Sequence, residues 1–205
     1  MKLLSWRLLV SMVFFLMSQS TFSASSSLIA GRVLAQPRTV QSFELMDTHH
    51  QQYGVAQLKG HWTLMYFGFT RCQGKCPVSF AALKDLYARL KNESWADEQM
   101  PQVVFVSVDP YRDTIADING FVHKYDASFL GLSGDLSHVL ALSDQLDVSF
   151  HVINPGSKEY SITHTGEIVA INPQGQVVAF FSYPQHAETL FKDYESVVNG
   201  AEYHS

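Results

Sequence analysis

Short apolar runs alternate with amphipathic segments through the middle of the chain. Residues 62–69 (WTLMYFGF) and 103–108 (VVFVSV) are nearly continuous apolar stretches, which is typical of strands buried on both faces of a sheet. Residues 77–90 follow the first stretch and carry apolar side chains three and four positions apart. This spacing places those side chains on one face and predicts a helix. A strand–helix–strand order of this kind predicts an α/β protein with parallel strands.

The flanking segments add smaller elements to this centre. Residues 43–58 predict a hairpin with a polar turn, and residues 167–171 and 176–181 predict a second hairpin around Asn-Pro-Gln-Gly. Asp113 and Thr114 precede one predicted helix, Asp135 precedes another, and a last helix is predicted from about Gln185 to Val198. The order indicates an α/β, thioredoxin-like sandwich with an N-terminal hairpin and an added late β-hairpin.

The first residues have the layout of an export signal. Residues 1–7 are short and cationic, residues 8–17 form a ten-residue apolar run, and residues 18–27 are small and polar. Ten apolar residues are about half of a membrane-spanning helix, which favours cleavage over retention as an anchor. We therefore predict a signal peptide or uncleaved anchor at 1–24, a linker at 25–42, the domain at 43–200 and a tail at 201–205. Export predicts a periplasmic location, either soluble or anchored to the inner membrane.

Charge and cysteine content exclude several classes of protein. The 205 residues carry 14 Lys and Arg against 19 Asp and Glu, for a formal net charge of −5. Without a basic stripe to neutralise phosphates, we expect no nucleic-acid partner. Only two cysteines are present, which excludes a disulfide scaffold and a four-cysteine metal site.

The two cysteines lie where chemistry is expected. Cys72 and Cys76 are separated by three residues, between a predicted buried strand and a helix that begins near Pro77. The helix N-terminus favours a thiolate at Cys76, and Arg71 and Lys75 add positive charge. The pair can form a redox disulfide or bind a soft metal ion.

A third ligand for a metal would come from a distant part of the sequence. Of nine histidines, His164 is the best candidate because it lies just before the late hairpin, whose strand should pass close to the cysteines. Two thiolates and one imidazole suit Cu(I), whereas zinc would need water to complete its shell.

The chain resembles the Sco/SenC family of exported copper proteins. The resemblance rests on F-G-F-T-x-C-x3-C-P at residues 67–77, V-S-V-D-P-x-R-D-T at 106–114, and H-T with the I-x-P-x-G turn at 164–175. It implies a thioredoxin-like fold and copper, as Cu(I) with Cu(II) as the alternative, bound by Cys72, Cys76 and His164. It also implies a role in building the dinuclear copper centre of cytochrome c oxidase, with subunit II as the copper-accepting partner and the membrane close by.

Two positions depart from the usual family pattern and leave a second function open. The loop between the cysteines is Gln73-Gly74-Lys75, where many members have proline and an acid, and Thr163 stands where an acid commonly precedes the histidine. The first hypothesis is a copper metallochaperone. The alternative is an enzyme, a thiol–disulfide oxidoreductase that uses Cys72 and Cys76 without stable copper and is recycled by a thiol reductant.

Overall fold

The computed structural model describes residues 28–154 and 159–202. Ten strands and four α-helices make up this part of the chain. The strands are β1 (Gly31–Thr39), β2 (Glu44–Asp47), β3 (Gln52–Gly54), β4 (Thr63–Gly68), β5 (Gln102–Ser107), β6 (Leu130–Ser133), β7 (Phe150–Ile153), β8 (Ser161–His164), β9 (Ile168–Ile171) and β10 (Gln176–Phe181). The helices are α1 (Lys75–Asn92), α2 (Ile115–His123), α3 (Leu136–Gln145) and α4 (Ala187–Glu202).

Eight strands form a mixed central sheet in the order β1-β10-β9-β4-β5-β6-β2-β3. The three strands β4, β5 and β6 are parallel, with Thr63 opposite Gln102 and Gly68 opposite Ser107. The hairpin β9–β10 joins one side of β4 in antiparallel orientation, and the hairpin β2–β3 joins β6. The predicted α/β, thioredoxin-like architecture with an early and a late hairpin is therefore confirmed.

Alternate side chains of the central strand β4 build two separate cores. Leu64 and Tyr66 face the layer formed by α1, α2 and α4, and Met65 and Phe67 face α3 and the strand pair β7–β8. Every residue of β4 is buried, as expected for a strand covered on both faces. Because β4 is fixed on both faces, the loop that follows it starts from a rigid point.

Six elements differ from the predictions made on the sequence. The predicted linker at 25–42 is wrong for Gly31–Thr39, which forms β1 and pairs with β10. This edge strand is mostly exposed and contains Pro37, so it has no regular apolar alternation. Residues Val55–Leu58, expected to form a strand, make a short 3-10 turn, and α4 runs through Asn199-Gly200 into the predicted tail. Strands β6, β7 and β8 were not predicted.

The predicted signal or anchor segment at residues 1–24 lies outside the described residues. Among residues 28–154 and 159–202, no helix combines the length and apolar character needed to span a bilayer.

Candidate metal centre

The two cysteines lie on the turn that connects β4 to α1. Cys72 is in the loop and half-buried, and Cys76 is the second residue of α1 and fully buried. Gly68, the last residue of β4, makes room for the inner sulfur, since a Cβ at this position would lie 2.7 Å from Cys76 Sγ. The end of the strand and the start of the helix therefore meet around one thiol.

The third predicted residue, His164, is brought to this pair by the strand β8. Its Nε2 lies 3.5 Å from Cys76 Sγ and 3.8 Å from Cys72 Sγ, and the three donor atoms all fall within 4.8 Å of one another. The imidazole is 8% exposed and meets the rings of Tyr66 and Phe69 edge-on, at centroid distances of 5.7 Å and 6.0 Å. The structure thus brings together all three residues that the sequence selected as ligands.

The two thiols have opposite acidities. Hydrogen bonds lower the pKa of Cys72 to about 3, chiefly the bond from the Cys76 thiol, with further help from His164 and the backbone N–H groups of Cys76 and Gly74. The pKa of Cys76 is raised far above its usual value, first because its thiol hydrogen-bonds to Cys72 and then because it is buried. Both directions favour the thiolate at Cys72, whereas the sequence predicted it at Cys76. The Cys76 N–H, in the first turn of α1, donates to Cys72 Sγ at 3.4 Å, so the helix N-terminus stabilises a thiolate at Cys72.

The basic residues beside the cysteines bond to backbone carbonyls. Arg71 contacts the carbonyl oxygen of Arg112 at 3.4 Å, and Lys75 donates to the carbonyl oxygen of His164 at 2.8 Å. Arg71 therefore reaches toward the β5–α2 connection, and Lys75 toward the strand that carries the histidine.

A buried carboxylate that sequence reasoning assigned to helix capping instead anchors the cysteine loop. Asp113 is 4% exposed and accepts hydrogen bonds from the Thr70 N–H at 2.9 Å, the Thr70 hydroxyl at 2.6 Å and the Ser107 hydroxyl at 2.7 Å. The helix cap itself is made by Thr114 and Asp117. One feature of the sequence could have indicated this role. Asp113 follows the carboxyl end of β5, which in a parallel sheet lies beside the end of β4, where the cysteine loop begins.

The donor set fits a soft monovalent metal ion. Two sulfurs and one imidazole nitrogen are ligands that select Cu(I). The other ring nitrogen, His164 Nδ1, is buried and has no hydrogen-bond partner among the described residues, so packing between Tyr66 and Phe69 holds the ring and leaves Nε2 directed at the sulfurs. The same residues also suit a dithiol, because Cys72 is accessible and its partner thiol is adjacent.

Comparison with known proteins decides the family. The SCO1/SenC family model matches residues 32–199. The chain belongs to the SCO1/SenC family. A protein of Stutzerimonas stutzeri, named as a candidate copper-binding protein, is 31% identical over 158 residues, covering 77% of this chain and 76% of its own length. A mitochondrial SCO2 homologue of Mus musculus is 31% identical over 150 residues, which are 72% of this chain and 58% of that protein.

A solved SCO1/SenC structure shows the same fold. The structure of Bradyrhizobium japonicum ScoI with copper bound matches with a TM-score of 0.67 and 26% identity, covering 78% of this chain and 99% of that one. The family resemblance drawn from the three sequence motifs is therefore confirmed, and the chain is a member of a copper-binding family. The role of each site residue in this protein stays a prediction.

Proposed function

We propose that this SCO1/SenC protein is a copper metallochaperone that holds Cu(I) with Cys72, Cys76 and His164. The observation that carries the proposal is the convergence of two sulfurs and one imidazole nitrogen within 4.8 Å. The copper-bound relative of the same fold supports the choice of metal.

The chemistry of the site favours transfer as well as binding. Cys72 is already a thiolate at neutral pH, so one ligand needs no deprotonation, while Cys76 releases its proton when the metal binds. A partner that presents two cysteines can replace these ligands one at a time, because the outer sulfur is reached from solvent. Cargo of this kind leaves by ligand exchange and needs no covalent step on the protein.

The client and location follow from the family and the N-terminal segment. SCO family proteins are known for assembly of cytochrome c oxidase, so we propose the dinuclear copper centre of subunit II as the destination. We place the protein in the periplasm, exported by residues 1–24 and close to the inner membrane.

Anaerobic titration of the fully reduced protein with Cu(I), in competition with a chromophoric Cu(I) chelator, tests the binding site. Wild type is expected to hold one copper. His164→Ala should bind it at least about 10- to 100-fold more weakly, because loss of an outer-shell partner alone has that effect and His164 is the proposed ligand itself. His123→Ala, a change on α2, is the matched control and is expected to match wild type. Equal affinities of wild type and His164→Ala would refute the three-ligand site.

A second function is favoured by the unequal thiols. Cys72 is half-buried and acidic, and Cys76 is fully buried beside it, which is the arrangement of an attacking and a resolving cysteine. The Cys72 thiolate would attack a partner disulfide and release one partner thiolate. Cys76, after losing its proton, would then attack Cys72 and release the second. The protein would finish with a Cys72–Cys76 disulfide and the partner with two added electrons.

A disulfide-reduction assay without metal separates the two functions. The oxidoreductase requires both cysteines and tolerates His164→Ala, whereas copper binding requires all three residues. Full reductase activity in His164→Ala, together with unchanged copper affinity, would favour the enzyme over the chaperone.

A further inference from the structure

Lys75 is placed to join the two halves of the metal centre. Its ammonium donates to the carbonyl oxygens of His164 at 2.8 Å and Thr165 at 3.3 Å, and it lies 5.4 Å from the centre of the Tyr183 ring. The first carbonyl belongs to the last residue of β8, the strand that supplies the histidine, and the second belongs to the residue that follows it. One side chain from the thiol-bearing helix is therefore bonded to the backbone of the imidazole ligand.

The histidine strand needs such a link because it is separate from the central sheet. Strands β7 and β8 form a two-stranded sheet of their own, paired from Phe150 with His164 to Ile153 with Ser161. The cysteines, in contrast, follow β4 in the middle of the eight-stranded sheet. The distance between the imidazole and the sulfurs is thus set between two sheets. The three-residue connection from β8 to β9 joins them through the backbone, and Lys75 adds a side-chain link directly between the cysteine helix and the histidine.

The local cost of this lysine indicates that its tertiary contacts matter. Lys75 is the first residue of α1, where a positive charge opposes the helix dipole, and ordering a long side chain costs conformational entropy. The backbone at Gly166 leaves room for the aliphatic part of the Lys75 side chain. Gly166 has a φ of +78°, and a Cβ there would lie 2.9 Å from Lys75 Cδ. Gly166 is in turn held by Gln185, whose amide donates to its carbonyl oxygen at 2.9 Å.

We propose that Lys75 is a positioning residue that clamps His164 against the two thiols and pre-organises the three-donor site. This inference rests on the proposed copper-binding function for its consequence, but the clamp itself belongs to the copper-free protein. Lys75 touches no metal; it acts only through the backbone that carries the imidazole.

The first experiment measures the clamp without copper. Hydrogen exchange of reduced, copper-free protein is compared between wild type, Lys75→Met and Lys84→Met, an exposed lysine further along the same helix. Amides of residues 161–168 are expected to exchange several-fold faster in Lys75→Met and at the wild-type rate in Lys84→Met. Unchanged exchange in Lys75→Met would overturn the clamp, whether or not the protein binds copper.

The second experiment tests whether the lysine acts through the histidine. Cu(I) affinity is measured for wild type, Lys75→Met, His164→Ala and the double variant. Lys75→Met is expected to bind about tenfold more weakly than wild type, and to cause no further loss once His164 is alanine. The same loss in both backgrounds would show that Lys75 acts on the thiolates by its charge and would overturn the proposal. Failure of wild type to bind Cu(I) would refute the proposed function and leave the exchange result to decide the clamp.

Discussion

Replacing Asp113 with alanine removes the anchor of the cysteine loop. The buried carboxylate accepts three hydrogen bonds, two from Thr70 and one from Ser107, and so ties the start of the loop to the end of β5. Alanine leaves the Ser107 hydroxyl buried without this acceptor, and it leaves the Thr70 N–H and hydroxyl to find water at a half-buried position.

The expected loss can be estimated from these contacts. A hydrogen bond to a charged group contributes about 1.5–3 kcal/mol, and water can replace part of the two bonds made by Thr70. We therefore expect Asp113→Ala to lower the free energy of unfolding by about 3 kcal/mol, composed mainly of the Ser107 bond and part of the Thr70 pair. For a domain of this size, the melting temperature should fall by about 6–12 °C.

Urea denaturation of the reduced, copper-free protein measures this loss directly. Asp113→Asn retains one acceptor oxygen and an amide that can donate to the Thr70 hydroxyl, so it should lose less than Asp113→Ala. Asp85→Ala removes an exposed acid from α1 and should change the stability by less than about 0.5 kcal/mol. If Asp113→Ala were no more destabilising than Asp85→Ala, the anchoring role would be refuted.

Three further outcomes follow from the site. Because the pKa of Cys72 is lowered to about 3, iodoacetamide should label Cys72 at a nearly constant rate between pH 5 and 8 and leave native Cys76 unlabelled; a steep rise near pH 8 would contradict a pre-formed thiolate. The stability that this thiolate contributes is complete above the pKa of an unfolded cysteine, about 8.5, and is lost as the pH falls toward 3. The free energy of unfolding of wild type relative to Cys72→Ala should therefore increase from pH 5 to 8 in a series of denaturation experiments. A difference that does not change with pH would disprove the linkage. Gly68→Ala places a Cβ 2.7 Å from Cys76 Sγ and should lower the free energy of unfolding by about 1–3 kcal/mol, measured by thermal unfolding. Gly120→Ala, in open space on α2, should not destabilise the protein. Similar effects of the two substitutions would exclude the packing conflict.

The sequence predicted the strongly patterned parts of the fold. Continuous apolar runs marked β4 and β5, intervals of three and four marked α1, and the Asn-Pro-Gln-Gly turn marked the late hairpin. Strands β7 and β8 were missed because each is only four residues long, with one buried side chain in β7 and two in β8. Strand β1 was missed because it is an exposed edge strand. Short elements of this kind are defined by their partners in the folded chain and carry little periodicity of their own.

The three residues that converge at the candidate site were predicted from the sequence, and the residues that support them were missed. Cys72, Cys76 and His164 carry chemistry that can be recognised residue by residue. The sequence predicted the thiolate at Cys76, whereas the structure favours Cys72. The difference depends on which sulfur receives the N–H group of the helix and which is enclosed by Tyr66 and its neighbours. The partner of Asp113 also depends on a parallel register that places Gly68 beside Ser107, which no local pattern reveals.

The unequal exposure of the two sulfurs gives the centre a single entrance. Cys76 and His164 are enclosed, so an incoming molecule meets Cys72 first and a departing one leaves it last. In the proposed copper site, Cys72 is therefore the ligand at which exchange with a partner would begin, while Cys76 and His164 would hold the ion from its buried side. Under the proposed function, this division would let a substitution at the inner residues change how firmly the ion is held without changing the sulfur that a partner reaches first.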